Sequence, residues 1–320
     1  MFRVEDRTGH LRHKRLDAMT DGEGRAIVPL SPHDREVLSG TFLRFLDELK
    51  PLLLSGFGEE IAGSRAEQLV TGSFASTSQG PHPGRNAIET VLFATLAGLD
   101  HSRLLMSSIR QEGTTFALAT LTRGAIEAYA RAWWLIEDES NEEVLVRWLS
   151  AIAKELQSLE RFAPNTPLKE LRGRDSSPGD EREKALNDIE RLTGSRRPRD
   201  IGYASLATAL QSNFDSRARM NYSHLSGVAH GESLGINGFI GVDDVAHTYD
   251  IALPERWGMA FVSQAFRATA FTARKVLVLV GRDVGETHPC VIAHDEASTA
   301  IATIMARQRV AHDNAPRGQG

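Results

Sequence analysis

The sequence predicts an all-α fold, a multi-helix bundle that carries a small β-hairpin insertion near residues 234–253. Three observations support this fold class. Apolar residues recur at steps of three and four over long stretches of the chain. Signals that begin and end helices flank those stretches. Only LGINGFIGVDDVAHTYDIAL alternates as strands do, and its Gly, Asn and Asp residues are typical of a hairpin. Long helices with almost no strand indicate a bundle.

The first part of the chain contains an arm, a helix and a loop. Residues 1–30 are polar and lack a period, so we expect a flexible N-terminal arm. Ser31 then fits an N-cap, with Pro32 at the first helical position, which predicts a helix through residues 37–54. Residues 71–85 are rich in Gly, Ser, Thr and Pro, and they predict a flexible linker or loop.

The remaining elements indicate a single helical domain over residues 31–312. Within it, residues 164–200 are hydrophilic and broken by Pro and Gly, so we expect an exposed excursion with one short helix. Residues 313–320 form a polar, disordered tail in this interpretation. Further helices are expected at about 86–110, 113–138, 140–163, 200–212, 215–230, 255–281 and 295–312.

Composition restricts the classes of protein that fit. With 41% hydrophobic and 25% charged residues, the 320-residue chain has the composition of a soluble globular protein. A formal net charge of −5 at pH 7 argues against broad wrapping around nucleic acid, although a local basic groove is still compatible with it. The single cysteine, Cys290, fits a reducing compartment and a packing role. The charged start and the lack of a long apolar run predict a cytoplasmic protein with no membrane partner.

The stretch TTFALATLTRGAIEAYARAWWLIED is apolar nearly all the way round, which predicts a buried, central helix. Two charged residues, Arg123 and Glu127, lie four positions apart inside one of its apolar stripes. Burying a charge costs several kcal/mol unless it is paired. The pair is therefore either an internal ion pair, extended by Arg131 at the next turn, or part of a polar cavity between helices. Both interpretations stay open at this point.

The stretch RMNYSHLSGVAHG carries the densest group of chemically active side chains. On a helical wheel its apolar stripe is Tyr222, Leu225 and Ala229, and this stripe should face the core. A polar stripe lies beside the apolar one, and Arg217 and His224 form a second polar line on its other side. The first polar stripe consists of Arg219, Ser223, Ser226 and His230. Gly227 permits close approach of another helix or a ligand, and Gly231 predicts the end of the helix.

An arginine followed by a histidine after four to six intervening residues, on a late helix of an α-bundle, resembles the signature of HEPN nucleases. Arg219 with His224 and Arg217 with His224 both satisfy it. The resemblance implies a metal-independent ribonuclease that acts as a homodimer in bacterial conflict systems. Histidine supplies a general acid or base near neutral pH, and arginine holds the scissile phosphate.

A second resemblance covers residues 86–281. LTRGAIEAYARAWWL followed by YSHLSGVAHG is similar to uncharacterised bacterial helical proteins related to abortive-infection and HEPN-like families. In that comparison His230, rather than His224, is the family histidine. The matching residues are Arg123, Glu127, Tyr222, Ser226 and His230.

Both resemblances lead to one candidate site. Arg123 and Glu127 from the central helix are expected to meet the late helix, with Arg219, Tyr222, Ser226 and His230 as partners. We expect His230 to carry the proton, Glu127 to orient His230 or Arg219, and the arginines to bind an anion such as phosphate. Ser223, His224 and Arg217 are further candidate binding residues.

The leading hypothesis is a HEPN-like protein of bacterial stress or phage defence, either a ribonuclease or an RNA-binding relative. The alternative is a non-enzymatic helical module that binds a partner protein or a small anion through a buried Arg/Glu/His network. A small-molecule enzyme that uses the cavity between helices is a weaker third interpretation. No metal and no cofactor is expected, since the motifs for di-metal, zinc and phosphate-loop sites are missing, and no DNA-binding motif is recognised.

Overall fold

The structure, a computed structural model, describes residues 29–56, 62–72, 74–111, 113, 115–138, 140–164, 176–199, 202–243, 248–251 and 253–313. The expected N-terminal arm lies outside the described residues except for residues 29 and 30. The expected tail does as well, except for residue 313. The described part of the chain is built almost entirely from helices, as predicted.

Eleven α-helices occur in the described residues. They are α1 (Pro32–Gly56), α2 (Arg65–Thr71), α3 (Pro83–Ile109), α4 (Phe116–Ile136), α5 (Asn141–Phe162), α6 (Pro178–Thr193), α7 (Tyr203–Ser212), α8 (Ala218–Ala229), α9 (Ser233–Ile236), α10 (Glu255–Leu279) and α11 (Pro289–Asp313). The all-α fold class is confirmed.

The insertion expected over residues 234–253 differs from the prediction. Residues 233–239 are helical, in α9 and a 3₁₀ turn, Asn237–Phe239. Among the described residues of this insertion, antiparallel pairing occurs between two four-residue segments, β1 (Ile240–Asp243) and β2 (Thr248–Ile251). The stretch LGINGF, whose alternation is typical of a strand, instead forms a tight helical turn in which Gly235 lies against the backbone of Gly227.

Helix α4 is central, as its all-round apolar pattern predicts. It packs against α3, α5, α7, α8 and α10, and twelve of its 21 residues are buried. The contact with α3 is close because Gly98 leaves room for the ring of Tyr129, which is fully buried. A side chain on the remaining, half-covered stripe of α4 therefore lies at the edge of a rigid core.

The segment 164–200 is not exposed throughout its described part. Its helix α6 begins with a capping box in which Ser177 and Asp180 bond each other's backbone N–H groups. The helix is 16 residues long and packs on α5, with Ala185 and Ile189 fully buried. The helix is amphipathic, and its apolar face packs into the bundle. The apolar pattern is hard to recognise in the sequence because charged residues occupy many of the other positions.

The predicted loop at 71–85 is held in place where the structure describes it. A short turn pairs Thr77 with Gly80, and the N–H of Ser78 donates to Asp188 Oδ2 of α6 over 2.6 Å. Arg191 of α6 also donates to the carbonyl of Ser76 over 2.8 Å. These bonds fix the turn against α6, between α6 and the start of α3.

The helix-start prediction at Ser31 is confirmed, because its Oγ accepts from the N–H of Asp34 over 3.1 Å. The end of the late helix at Gly231 is also confirmed, since α8 stops at Ala229 and Gly231 adopts a φ of +70°. None of the described helices combines the length and the hydropathy that crossing a membrane requires.

Candidate functional site

Arg123 and Glu127 form an ion pair on the half-covered stripe of α4. The Arg123 Nε–H donates to Glu127 Oε1 over 2.7 Å, and the two side chains are 24% and 23% exposed. Both residues are thus held at the boundary between core and solvent. Arg131 does not extend this pair, because its guanidinium bonds Glu155 of α5 instead.

Helix α8 completes the arrangement with Tyr222, a residue on its buried stripe. The Tyr222 hydroxyl donates to Glu127 Oε1 over 2.6 Å, and the Arg123 guanidinium lies 5.9 Å from the centre of the Tyr222 ring. One carboxylate oxygen therefore accepts from both an arginine and a tyrosine. Glu127 fixes the position of α8 against α4 and the direction of the Arg123 side chain.

His230 meets the same arginine at the end of α8. It is exposed at the C-cap position, and its Nε2 lies 2.8 Å from Arg123 Nη1. A guanidinium can only donate, so His230 Nε2 must be the acceptor. This contact therefore requires the tautomer that carries its proton on Nδ1. We call Arg123, Glu127, Tyr222 and His230 the Arg123 network.

The surroundings of the Arg123 network keep Arg123 positively charged and Tyr222 neutral. For Arg123, partial burial opposes the charged form, but the hydrogen bond and the charge of Glu127 outweigh it and raise the pKa of the guanidinium above its usual value. Burial and the bond to the Glu127 carboxylate raise the pKa of Tyr222 to about 12. Tyr222 is thus a hydrogen-bond donor, and not an anion, at any physiological pH.

The expected role of Glu127 needs a correction. It orients Arg123 and Tyr222, whereas the prediction gave it His230 or Arg219 as partner. Arg123 lies between Glu127 and His230, because its guanidinium is long enough to contact both.

The predicted stripe Arg219, Ser223, Ser226 and His230 does not converge on one point. Arg219 and Ser223 are exposed and Ser226 is half-buried, and in the described residues none of the three bonds the Arg123 network through its side chain. Arg219 and His230 share a face of the wheel, but eleven residues separate them by about 16 Å along the helix axis. A common stripe does not bring two residues of one helix to the same ligand atom.

His224, the histidine of the R-x(4–6)-H signature, lies on another side of α8. Its ring stacks on Trp257 at 3.8 Å and faces Phe239 at 6.2 Å, and its buried Nε2 has no described hydrogen-bond partner. Burial, with the nearby charge of Arg256, lowers the pKa of His224. The ring behaves as part of an aromatic cluster.

Arg217 lies at the N-cap of α8 and is exposed, with its Nε 3.9 Å from Asp215 Oδ1. It contacts neither histidine in the described residues. Arg217 and His224 thus share no contact in the folded chain, although their spacing matches the signature.

Two features of the site region were missed from the sequence. The aromatic cluster around His224 involves Phe239 and Trp257, which come from the expected insertion and the start of α10. The close contact of α8 with α9 depends on Gly235, since a Cβ there would lie 2.6 Å from the backbone of Gly227. For this contact, the close approach expected at Gly227 is confirmed, and only its partner, Gly235 of α9, was not predicted.

No group of three or more His, Cys, Asp or Glu side chains in the described part of the chain is arranged to hold a metal ion. Cys290 is buried, and burial raises the pKa of its thiol to about 11. A thiol in this state packs as a small apolar group.

The fold and the network define an all-α helical protein with an Arg123–His230 pair at its surface. Glu127 holds the arginine of this pair in place and itself accepts a hydrogen bond from Tyr222. No protein-family model matches the chain, and comparisons with curated proteins and with solved structures give no match. The HEPN-like resemblance therefore stays a prediction.

Proposed function

We propose that this chain is a HEPN-like RNA-binding protein that cleaves RNA at the Arg123 network without a metal ion, in bacterial stress or phage defence. One observation carries the proposal: exposed His230 accepts a 2.8 Å hydrogen bond from Arg123, whose guanidinium is fixed by Glu127. A histidine and an arginine at this distance supply a proton acceptor and a fixed cation for one phosphodiester.

The binding step depends on the donors that Arg123 keeps. Its Nε–H is used by Glu127 and one Nη1–H by His230, which leaves the Nη2 side of the fork for a phosphate oxygen. Arg219, on the exposed side of α8, supports binding of a phosphate farther along the strand, not the reacting one.

The chemical step begins when a phosphate oxygen replaces His230 as the partner of Arg123 Nη1, which frees the lone pair on Nε2. Nε2 then takes the proton of the ribose 2′-hydroxyl, and the 2′-oxygen attacks phosphorus. The bond from phosphorus to the 5′-oxygen breaks, and that oxygen takes a proton from water. The imidazolium returns its proton to the resulting hydroxide. The products are a 2′,3′-cyclic phosphate end and a 5′-hydroxyl end.

The test is cleavage of single-stranded RNA in the presence of EDTA, with His230→Ala and His224→Ala as a matched pair. We expect the wild type and His224→Ala to give 2′,3′-cyclic phosphate ends and His230→Ala to give none. The expected loss in His230→Ala is about 10²-fold or more, since general acid–base catalysis contributes about 10²–10⁴-fold. Cleavage that survives in His230→Ala at the wild-type rate contradicts the proposal.

A second candidate is a non-enzymatic module that binds a small anion or a partner through the same residues. It is favoured by the direction of the Arg123–His230 hydrogen bond, which occupies the basic nitrogen of the histidine. In this case RNA or inorganic phosphate binds, Arg123→Gln abolishes binding, and no cleavage product forms. Light scattering of the purified chain tests the homodimer that the resemblance implies.

A further inference from the structure

A cavity beside the C-terminal half of α4 suggests a second binding site. It has a volume of about 1060 Å³ and is an open cleft bordered by α3, α4, α5, α6 and the turn around Thr77–Gly80. This is just above the usual range for small-molecule sites, about 300–1000 Å³. We call it the α5–α6 cavity. Its described lining shares no residue with the Arg123 network.

The charges that line the α5–α6 cavity are mostly matched within it. Arg131 bonds Glu155, and Lys184 Nζ donates to Glu181 Oε1 over 2.7 Å. Glu89 is the remaining described carboxylate of the lining, and it has no hydrogen bond or ion pair in the described part of the chain. The uncompensated charge of this cavity is therefore negative.

An aromatic ring stands beside that carboxylate. Phe93 lies one helical turn after Glu89 on α3, lines the same cavity and is 64% exposed. A large apolar ring that is left in solvent next to a carboxylate provides the two contacts that an organic cation uses, a charge-assisted hydrogen bond and the ring face. Trp148 adds a rigid wall, because its indole N–H is fixed on Thr90 Oγ1 at 3.1 Å.

We propose that the α5–α6 cavity binds an organic cation with an ammonium or guanidinium group, which Glu89 and Phe93 recognise. The volume is far larger than a metal ion needs, and the cavity cations Arg131 and Lys184 are already neutralised, which disfavours an anion. The site does not rest on RNA cleavage, because it uses different residues.

The experiment is isothermal titration calorimetry of the full chain with agmatine, which carries both a guanidinium and an ammonium. The neutral diol 1,6-hexanediol and inorganic phosphate serve as comparison probes. We expect saturable binding of agmatine, no binding of 1,6-hexanediol, and no binding of phosphate that depends on Arg131. His230→Ala should leave agmatine binding unchanged.

Two exposed-residue variants test the recognition directly. Glu89→Gln should weaken agmatine about tenfold, as the loss of a hydrogen bond to a charged group implies. Phe93→Ala should weaken it about threefold, as the loss of an exposed cation–π contact implies. Asp100→Asn, an exposed carboxylate of α3 outside the cavity lining, is the control and should bind as the wild type does.

Three outcomes overturn the proposal: no binding of agmatine, equal binding by Glu89→Gln and Asp100→Asn, or binding of phosphate that depends on Arg131. Because Glu89 and Phe93 are both exposed, the variants should keep the circular dichroism spectrum of the wild type, so a loss of affinity reports on the cavity.

Discussion

Tyr222→Phe is the change that examines the Arg123 network most directly. The variant removes one hydroxyl and leaves a ring that is only 6% exposed in the wild type, so packing is kept. The lost bond runs to a carboxylate over 2.6 Å. Hydrogen bonds to charged groups contribute about 1.5–3 kcal/mol, and the lower end applies here because Glu127 keeps its bond to Arg123.

We therefore expect Tyr222→Phe to lower the free energy of unfolding by about 1.5 kcal/mol. In a protein of this size, that corresponds to a fall in Tm of about 2 °C. Urea unfolding followed by circular dichroism measures the first quantity, and a calorimetric scan measures the second.

The decisive comparison repeats the substitution in a Glu127→Gln background. There the Tyr222 hydroxyl faces a neutral amide, so its removal should cost only about 0.5–1 kcal/mol. If Tyr222→Phe costs the same in both backgrounds, the hydroxyl does not act through the Glu127 carboxylate and the description of the network is wrong.

Two further predictions concern packing and pH. Gly98→Ala should destabilise the protein by about 1–3 kcal/mol, because the new Cβ would lie 2.6 Å from the buried ring of Tyr129. Gly124→Ala should stay within about 0.5 kcal/mol, since it meets only the exposed ring of His101 at 3.0 Å, and equal losses in chemical unfolding would refute this difference. Burial lowers the pKa of His224 below its usual value of 6.5, so the unfolded chain binds more protons and the free energy of unfolding should fall as pH drops below about 6.5. This pH dependence should shrink in His224→Phe, and an unchanged slope between pH 7 and 5 would contradict it.

The sequence predicted those features that depend on local pattern. The central position of α4 followed from its apolar residues on every side, and the helix stop at Gly231 followed from the conformations open to glycine. The charged residues Arg123 and Glu127, which lie within an apolar stripe, indicated a polar contact because a buried charge requires a partner. These arguments need no knowledge of which helices are neighbours.

The features that escaped prediction depend on which helices are neighbours. The stacking of His224 on Trp257 joins residues of two helices, and no spacing within one helix reports it. The helical residues 233–239 were expected to be strand, because seven residues are too few to separate a period of two from one of 3.6. The α5–α6 cavity is bordered by five separate parts of the chain, so no single motif in the sequence marks it.

The two histidines of RMNYSHLSGVAHG show why the contacts matter more than the motif. His224 satisfies the arginine–histidine spacing, yet its ring is stacked on Trp257 with a lowered pKa, so protonating it costs packing and solvation together. His230 is exposed at a helix end, and its nearest partner is a guanidinium that a phosphate can engage instead. A proton acceptor must exchange protons with its substrate, and an exposed ring satisfies that requirement better than a stacked one. The choice of His230 over His224 thus rests on access and on the identity of the partner, and neither of these is encoded in the spacing.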